Sequence, residues 1–266
     1  MKLRYQADKL LGKNRRAGKG TVYKKQGQVR RLCDMIEKKY GLENVRNLKT
    51  KHIHGIFSDL RKTDKAPTTL ASYATAAREI ACAIGKENIV PRHNKELGAS
   101  RAGNRLKPVM ANTTHIKDIT EQLYQKAEWL GLAAEMRAEF GLRAQESLLS
   151  HEIENNRLVV KGAKGGRPRF IGITTSEQLS LIKRVKDHLG ENNKSSLIPS
   201  ELTLKQGLKK QSNTLHRLGA TKRNRAHAHA SRHNYAQQLS NHGVSRNDIS
   251  QILGHGREEV VSHYLP

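Results

Sequence analysis

With only two cysteines, Cys33 and Cys82, among 266 residues, the chain has too few thiols for a disulfide framework. Both fall among helical-looking residues and read as buried thiols in a reducing compartment. Aromatic residues are scarce at 4%, with one Trp and three Phe, and no amphipathic stretch pairs a basic face with bulky Trp or Phe. That argues against an acidic membrane surface, the alternative destination of the basic charge. No run of 18 apolar residues occurs, so no transmembrane helix is expected. The opening MKLRYQADKLLGKNRRAGKG has no apolar signal core, and a cytoplasmic protein is expected. No internal repeat is visible. Acidic residues are also short: 24 Asp and Glu face 49 Lys and Arg, for a formal charge of +25. Self-repulsion on that scale implies a polyanionic partner. The cations are spread along the whole chain rather than gathered in a tail, which points to a protein that wraps nucleic acid and releases its counterions. Hydrophobic residues make up 36%, low but sufficient for the cores of helical domains.

The apolar periodicity divides the chain. Residues 1–20, basic with Gly12, Gly18 and Gly20, read as a flexible arm or an irregular first helix. Val29, Leu32, Cys33, Ile36 and Tyr40 then share a helical face, with Gly41 as a stop. A second helix is expected from a capping Thr50, burying Ile53, Ile56, Phe57 and Leu60. A third starts at Pro67, an acceptable first-turn residue, and turns Leu70, Tyr73, Ala77, Ile80, Ala81 and Ile84 inward. Residues 86–112 have little apolar content and read as a linker, placing a boundary near residue 110. Beyond it, helices are expected at 113–124 and 126–140. The period then changes: Arg157 to Lys161 and Arg169 to Ile173 read as two strands around a KGAKGG turn. Helices return at 175–189, 203–218, 230–242 and 245–253. The expected fold is mainly α with a small β-hairpin or sheet. It has two domains, an all-helical one at 1–110 and a mixed α+β one at 111–266.

The second domain holds the chemistry. Arg143 follows a glycine, and its guanidinium suits a bidentate grip on phosphate oxygens. Glu146, three residues on, can orient it from one helical turn away. Lys164 sits in the hairpin turn, placed to deliver an ammonium to a bridging oxygen. Lys161 competes for that task, and Arg167 and Arg169 read as contacts to a nucleic-acid backbone. His229, Arg232 and His233 share one helix face; Arg232 offers a second phosphate fork, and His229 a hydrogen bond to the phosphate or the nucleophile. His255 follows a helix-ending glycine. Tyr264 is the candidate nucleophile; a phenol of pKa about 10 needs cations or a base to attack. Tyr235, mid-helix, reads as core. His227, His229 and His233 make a weak metal set, with no Asp, Glu or Cys nearby and Arg232 opposing a cation. Singly, each of these residues is compatible with a solvated surface position.

Jointly they form a pattern. Gly141-Leu142-Arg143 with Glu146, Lys164-Gly165-Gly166, His229-Ala230-Ser231-Arg232-His233, Leu253-Gly254-His255 and Tyr264 nine residues beyond His255 resemble the motifs of the tyrosine recombinases, the family of phage integrases and Xer-type enzymes. The resemblance spans about 113 to 264. It implies an N-terminal core-binding (SAM-like) domain ahead of the catalytic one, double-stranded DNA as partner, a homotetramer on paired sites and a monomer without DNA. It also implies catalysis by Arg143, Lys164, His229, Arg232, His255 and Tyr264 through a 3′-phosphotyrosyl link, with no cofactor or metal. Integration or excision of a mobile element in a prokaryotic or phage setting is the implied outcome. A type IB topoisomerase and a catalytically silent binder of the same fold are the alternatives.

Overall fold

The structure, a computed structural model, describes residues 1–12, 19–100, 108, 110–162, 167–190 and 196–265. The chain divides into two compact units, Met1–Arg105 and Leu106–Pro266.

The first unit is helical: α1 Leu3–Leu11, α2 Lys19–Tyr40, α3 Thr50–Arg61 and α4 Pro67–Ala83, with short 3-10 turns at Val45–Asn47, Glu87–Ile89 and Asn94–Leu97. The apolar faces expected from the spacing are the ones buried: Val29, Leu32, Cys33 and Ile36 of α2, Ile53, Ile56, Phe57 and Leu60 of α3, and Leu70, Tyr73, Ala77, Ile80 and Ala81 of α4. Pro67 occupies the first turn of α4, where its missing N–H costs nothing. Thr50 is the first helical residue of α3, not its cap; Lys49 holds that position. Three expectations need correction. The opening stretch contains a regular helix, α1, whose Leu3 and Ala7 enter the core. Residues 86–100 are not a bare linker, because Ile89, Val90, Leu97 and Ala99 pack into the same core. Cys82 is exposed while Cys33 is buried, since Cys82 follows the inward Ala81 on the outer side of α4.

The second unit begins with α5 Thr113–Lys126 and α6 Glu128–Phe140, then the one-turn α7 Glu146–Leu149. An antiparallel sheet follows, in order β1 Ile153–Glu154, β2 Arg157–Val160 and β3 Arg169–Gly172. β2 pairs with β3 through Leu158 opposite Ile171 and Val160 opposite Arg169. β1 was not expected; two residues carry no readable period. The KGAKGG turn falls largely outside the described residues. Helices α8 Ser176–Leu189, α9 Leu204–Arg217, α10 Ala230–Asn241 and α11 Arg246–Ile252 complete the unit, with a 3-10 helix at Glu258–His263. One apolar cluster joins α5, α6, the sheet, α8 and α9. A smaller one seats Val261, Tyr264 and Leu265 against Tyr235 and Ala236 of α10 and Ile249 and Leu253 beside α11. Tyr235 is thus a core residue. No helix is long and apolar enough to cross a membrane among the described residues.

Candidate active site

Two glycine turns and the start of α10 build the site. Gly141 closes α6 at φ 60°, a left-handed conformation that favours glycine. A Cβ there would meet the Tyr235 ring at 2.4 Å. The turn frees the Gly141 carbonyl and launches Arg143. Gly254 plays the same part after α11, at φ 66°, where a Cβ would meet Arg169 Nη1 at 2.8 Å; it launches His255.

Arg232 joins these turns. It is fully buried. Its Nη1 donates to the Gly141 carbonyl at 2.5 Å, and its Nη2 donates to the Leu253 carbonyl and to His255 Nε2 at 3.2 Å. Three of five N–H donors are therefore engaged. Nε finds no partner among the described residues, an expensive state for a buried donor. Burial lowers the guanidinium pKa to about 10, which still leaves it charged near neutrality. Because Arg232 can only donate, His255 Nε2 must accept, so the His255 proton sits on Nδ1.

Glu146 is the site's anion. Its two oxygens receive four hydrogen bonds: Arg143 Nη1 at 2.7 Å and the Arg143 backbone N–H at 2.9 Å, and Arg169 Nη1 at 3.2 Å and Nη2 at 2.9 Å. A carboxylate offers about four lone-pair sites, so Glu146 is saturated. Burial pushes its pKa up, but the bonds and charge of Arg169, then those of Arg143, hold it down at about 2. Arg143 keeps 23% of its side chain exposed and is the cation this arrangement presents to solvent.

Tyr264, 6% exposed, lies amid this charge. Its Oη is 3.1 Å from His229 Nε2. Its ring is packed by His233 at 4.7 Å and His255 at 5.3 Å between centroids, with the Arg232 guanidinium 5.8 Å away. Protein packing and then the charge of Arg232 depress the His229 pKa to about 3. The imidazole is therefore neutral at pH 7. Burial likewise lowers His233 and His255 to about 4, with Arg232 and other cations adding to it. A neutral His229 with its proton on Nδ1 can accept from the phenol; a His255 with its proton on Nδ1 can donate to an anion.

Arg143, His229, Arg232, His255 and Tyr264 thus converge, with Glu146 and His233 beside them. Lys164 lies outside the described residues. Lys161 is exposed and paired with Glu152 at 2.6 Å, and Arg167 is exposed beside Gly256. The reading of Arg169 as a nucleic-acid contact is wrong. Its side chain is 6% exposed, bound to Glu146 and to the Ile252 carbonyl at 2.5 Å. Its place on β3 explains this: Arg169 and Ile171 face inward while Phe170 faces out, an alternation visible in the sequence. Gln237, which donates to the Tyr264 carbonyl at 3.0 Å, was also missed, although it lies four residues beyond His233. No three His, Cys, Asp or Glu side chains are grouped to hold a metal among the described residues. A cleft of about 820 Å³ between α5, α6, α8 and α10 lies apart from these residues, and its lining sets four glutamates, Glu121, Glu135, Glu139 and Glu177, against only Lys117 and Arg184.

Residues 112–266 match the model of the phage integrase family. No curated protein matches the chain. Among solved structures, the fold is similar to the XerH site-specific recombinase bound to palindromic difH substrate in a post-cleavage complex, with TM-score 0.68, 19% identity, and coverage of 98% of this chain and 80% of that one. It is also similar to the Tn1549 transposon integrase in complex with transposon right end DNA, with TM-score 0.63, 15% identity and coverage of 99% and 94%. A third similar fold is the lambda integrase tetramer bound to a Holliday junction, with TM-score 0.64, 16% identity and coverage of 100% and 78%.

Proposed function

The chain belongs to the phage integrase family and is a tyrosine site-specific recombinase in class, and on that premise we propose that it cuts and rejoins duplex DNA through a covalent link at Tyr264. The observation that carries the reading is the convergence on one phenol of neutral His229 at 3.1 Å, Arg232, His255 and the exposed face of Arg143. The phosphodiester lies against Arg143, the Nε–H of Arg232, which has no partner among the described residues, and the Nδ1–H of His255, which stabilise charge growing on its non-bridging oxygens. Tyr264 Oη attacks phosphorus and passes its proton to His229. An O–P bond forms to Tyr264 as the bond to the 5′-oxygen breaks, and Lys164 supplies that oxygen's proton. The 3′-phosphotyrosyl ester conserves the bond, so a 5′-hydroxyl of a second strand reverses the step; the scheme needs no nucleotide cofactor or metal.

Residues 1–110 form a DNA-binding domain in this scheme and residues 111–266 the catalytic one. The +25 charge supplies backbone affinity. Tetrameric assembly on paired sites, and integration or excision of a mobile element, follow by analogy with the lambda and Tn1549 integrases. The test is a suicide duplex, nicked so that the cleaved strand diffuses away, offered as a pool with a randomised core. Wild-type protein yields covalent DNA from which the target is sequenced, and Tyr264→Phe yields none. Covalent trapping by Tyr264→Phe overturns the assignment. Relaxation of supercoiled plasmid without strand exchange assigns the same chemistry to a topoisomerase.

A further inference from the structure

We propose that His233 and Gln237 are positioning residues which, with His229, form a rail along α10 that seats Tyr264 of the same chain. The inference rests on the reading of Tyr264 as nucleophile and extends it to two residues which that scheme leaves without a role.

His229, the N-cap residue of α10, and His233 and Gln237 within it lie at intervals of four residues, one above another along one side. Each meets a different part of Tyr264. His229 Nε2 meets the phenolic Oη at 3.1 Å. The His233 ring lies 4.7 Å from the tyrosine ring at an interplanar angle of 32°, a tilted ring-on-ring contact within the range of favourable aromatic pairs. Gln237 Nε2 donates to the Tyr264 backbone carbonyl at 3.0 Å. The tyrosine is thereby held at its tip, its middle and its base. Val261 and Leu265, both buried, pin the backbone on either side. His233 and Gln237 are buried as well, and the His233 Nδ1 has no hydrogen-bond partner among the described residues. The ring face, rather than a bond at that nitrogen, is what His233 gives to Tyr264.

The rail matters because a tyrosine swings on two side-chain torsions and follows a 3-10 helix of six residues. A misplacement of about 1 Å at a reacting atom can cost about 100-fold in rate. Removing the middle support frees the ring torsion without touching the phosphate contacts. Removing the bottom support frees the backbone.

The test compares His233→Ala, His233→Phe and Gln237→Leu in the full chain, using the duplex recovered from the randomised suicide pool. At saturating DNA, His233→Ala slows single-turnover formation of the covalent adduct about 10- to 100-fold, and Gln237→Leu slows it several-fold. Duplex Kd changes less than about two-fold in both, because both side chains are buried. His233→Phe, which keeps a ring and cannot titrate, restores the rate to within about three-fold. Backbone hydrogen exchange over 258–265 supplies a readout that needs no chemistry: it accelerates in His233→Ala and Gln237→Leu and stays slow in His233→Phe. Wild-type rates in His233→Ala overturn the proposal. So does equal slowing in Ala and Phe with slow exchange retained, which assigns imidazole chemistry to His233. If His233→Ala does not fold, His233→Phe and Gln237→Leu decide. Faster exchange in His233→Ala and Gln237→Leu, when the wild-type protein never forms an adduct, leaves the rail standing and removes the catalytic reading.

Discussion

The two units bury different things. Of twelve polar or charged side chains that are buried among the described residues, only His52 lies in Met1–Arg105; the other eleven lie in Leu106–Pro266. The first unit is therefore an apolar helical core with its charges outside, and its cations, such as Lys25 and Lys39 with Glu79 and Asp59, pair on the surface. The second unit buries Arg137, Arg169, Arg232, Glu146 and His233. Desolvating such groups costs stability unless they are paired, so their concentration marks where the molecule gives up stability to hold charge in fixed positions.

Substitutions sharpen that contrast. The largest effect is expected at Arg143→Ala: adduct formation falls about 100- to 1000-fold, the scale of removing one preorganised donor. Gel-shift affinity stays within a few-fold, since many other cations hold the backbone. Glu146→Gln comes next. It leaves Arg169 buried without its anion, which costs about 3–5 kcal/mol by chemical denaturation, and loosens Arg143 so that cleavage falls with it. The corresponding change in the first unit, at the lone buried polar residue among its described residues, is small. His52 Nδ1 accepts from the Lys49 backbone N–H at 3.2 Å, so His52→Leu costs about 1 kcal/mol with cleavage unchanged.

Acid weighs more on the second unit, although burial also lowers the pKa of His52 in the first. His233 is held at about 4 against an ordinary 6.5, so its contribution is complete above pH 6.5 and is lost as pH falls from 6.5 toward 4. The unfolded chain takes a proton there that the folded site refuses, on the order of 3 kcal/mol. His255 follows the same window. Glu146, held at about 2 against 4.5, adds a loss from pH 4.5 downward. Hydrogen exchange corrected for intrinsic rates is expected to show α10 losing protection between pH 7 and 5 well before α2. Equal losses in both helices contradict the account.

Much of this was legible in the sequence, and the limits have physical causes. Helical faces such as Ile53, Ile56, Phe57 and Leu60 follow from a period that burial obeys locally. The site residues are legible because His229 and Arg232 or Gly254 and His255 carry fixed short spacings that turn chemistry into a pattern. Partner choice is different. That Arg169 braces Glu146 depends on β3 lying beside the α7 turn, although the alternation of Arg169 with Ile171 already pointed it inward. That Gln237 reaches the Tyr264 carbonyl depends on where the last 3-10 helix docks, which no local period records. Cys82 was misplaced because α4 is rich in small apolar residues on several sides, and its buried face is hard to phase.

The most direct test of a site gathered on one phenol is to digest the trapped adduct with nuclease and protease and locate the residual nucleotide by tandem mass spectrometry. A phosphotyrosyl mass is expected on the peptide containing Tyr264 and on no other. A nucleotide on Tyr235, on a histidine or on any other residue would contradict it.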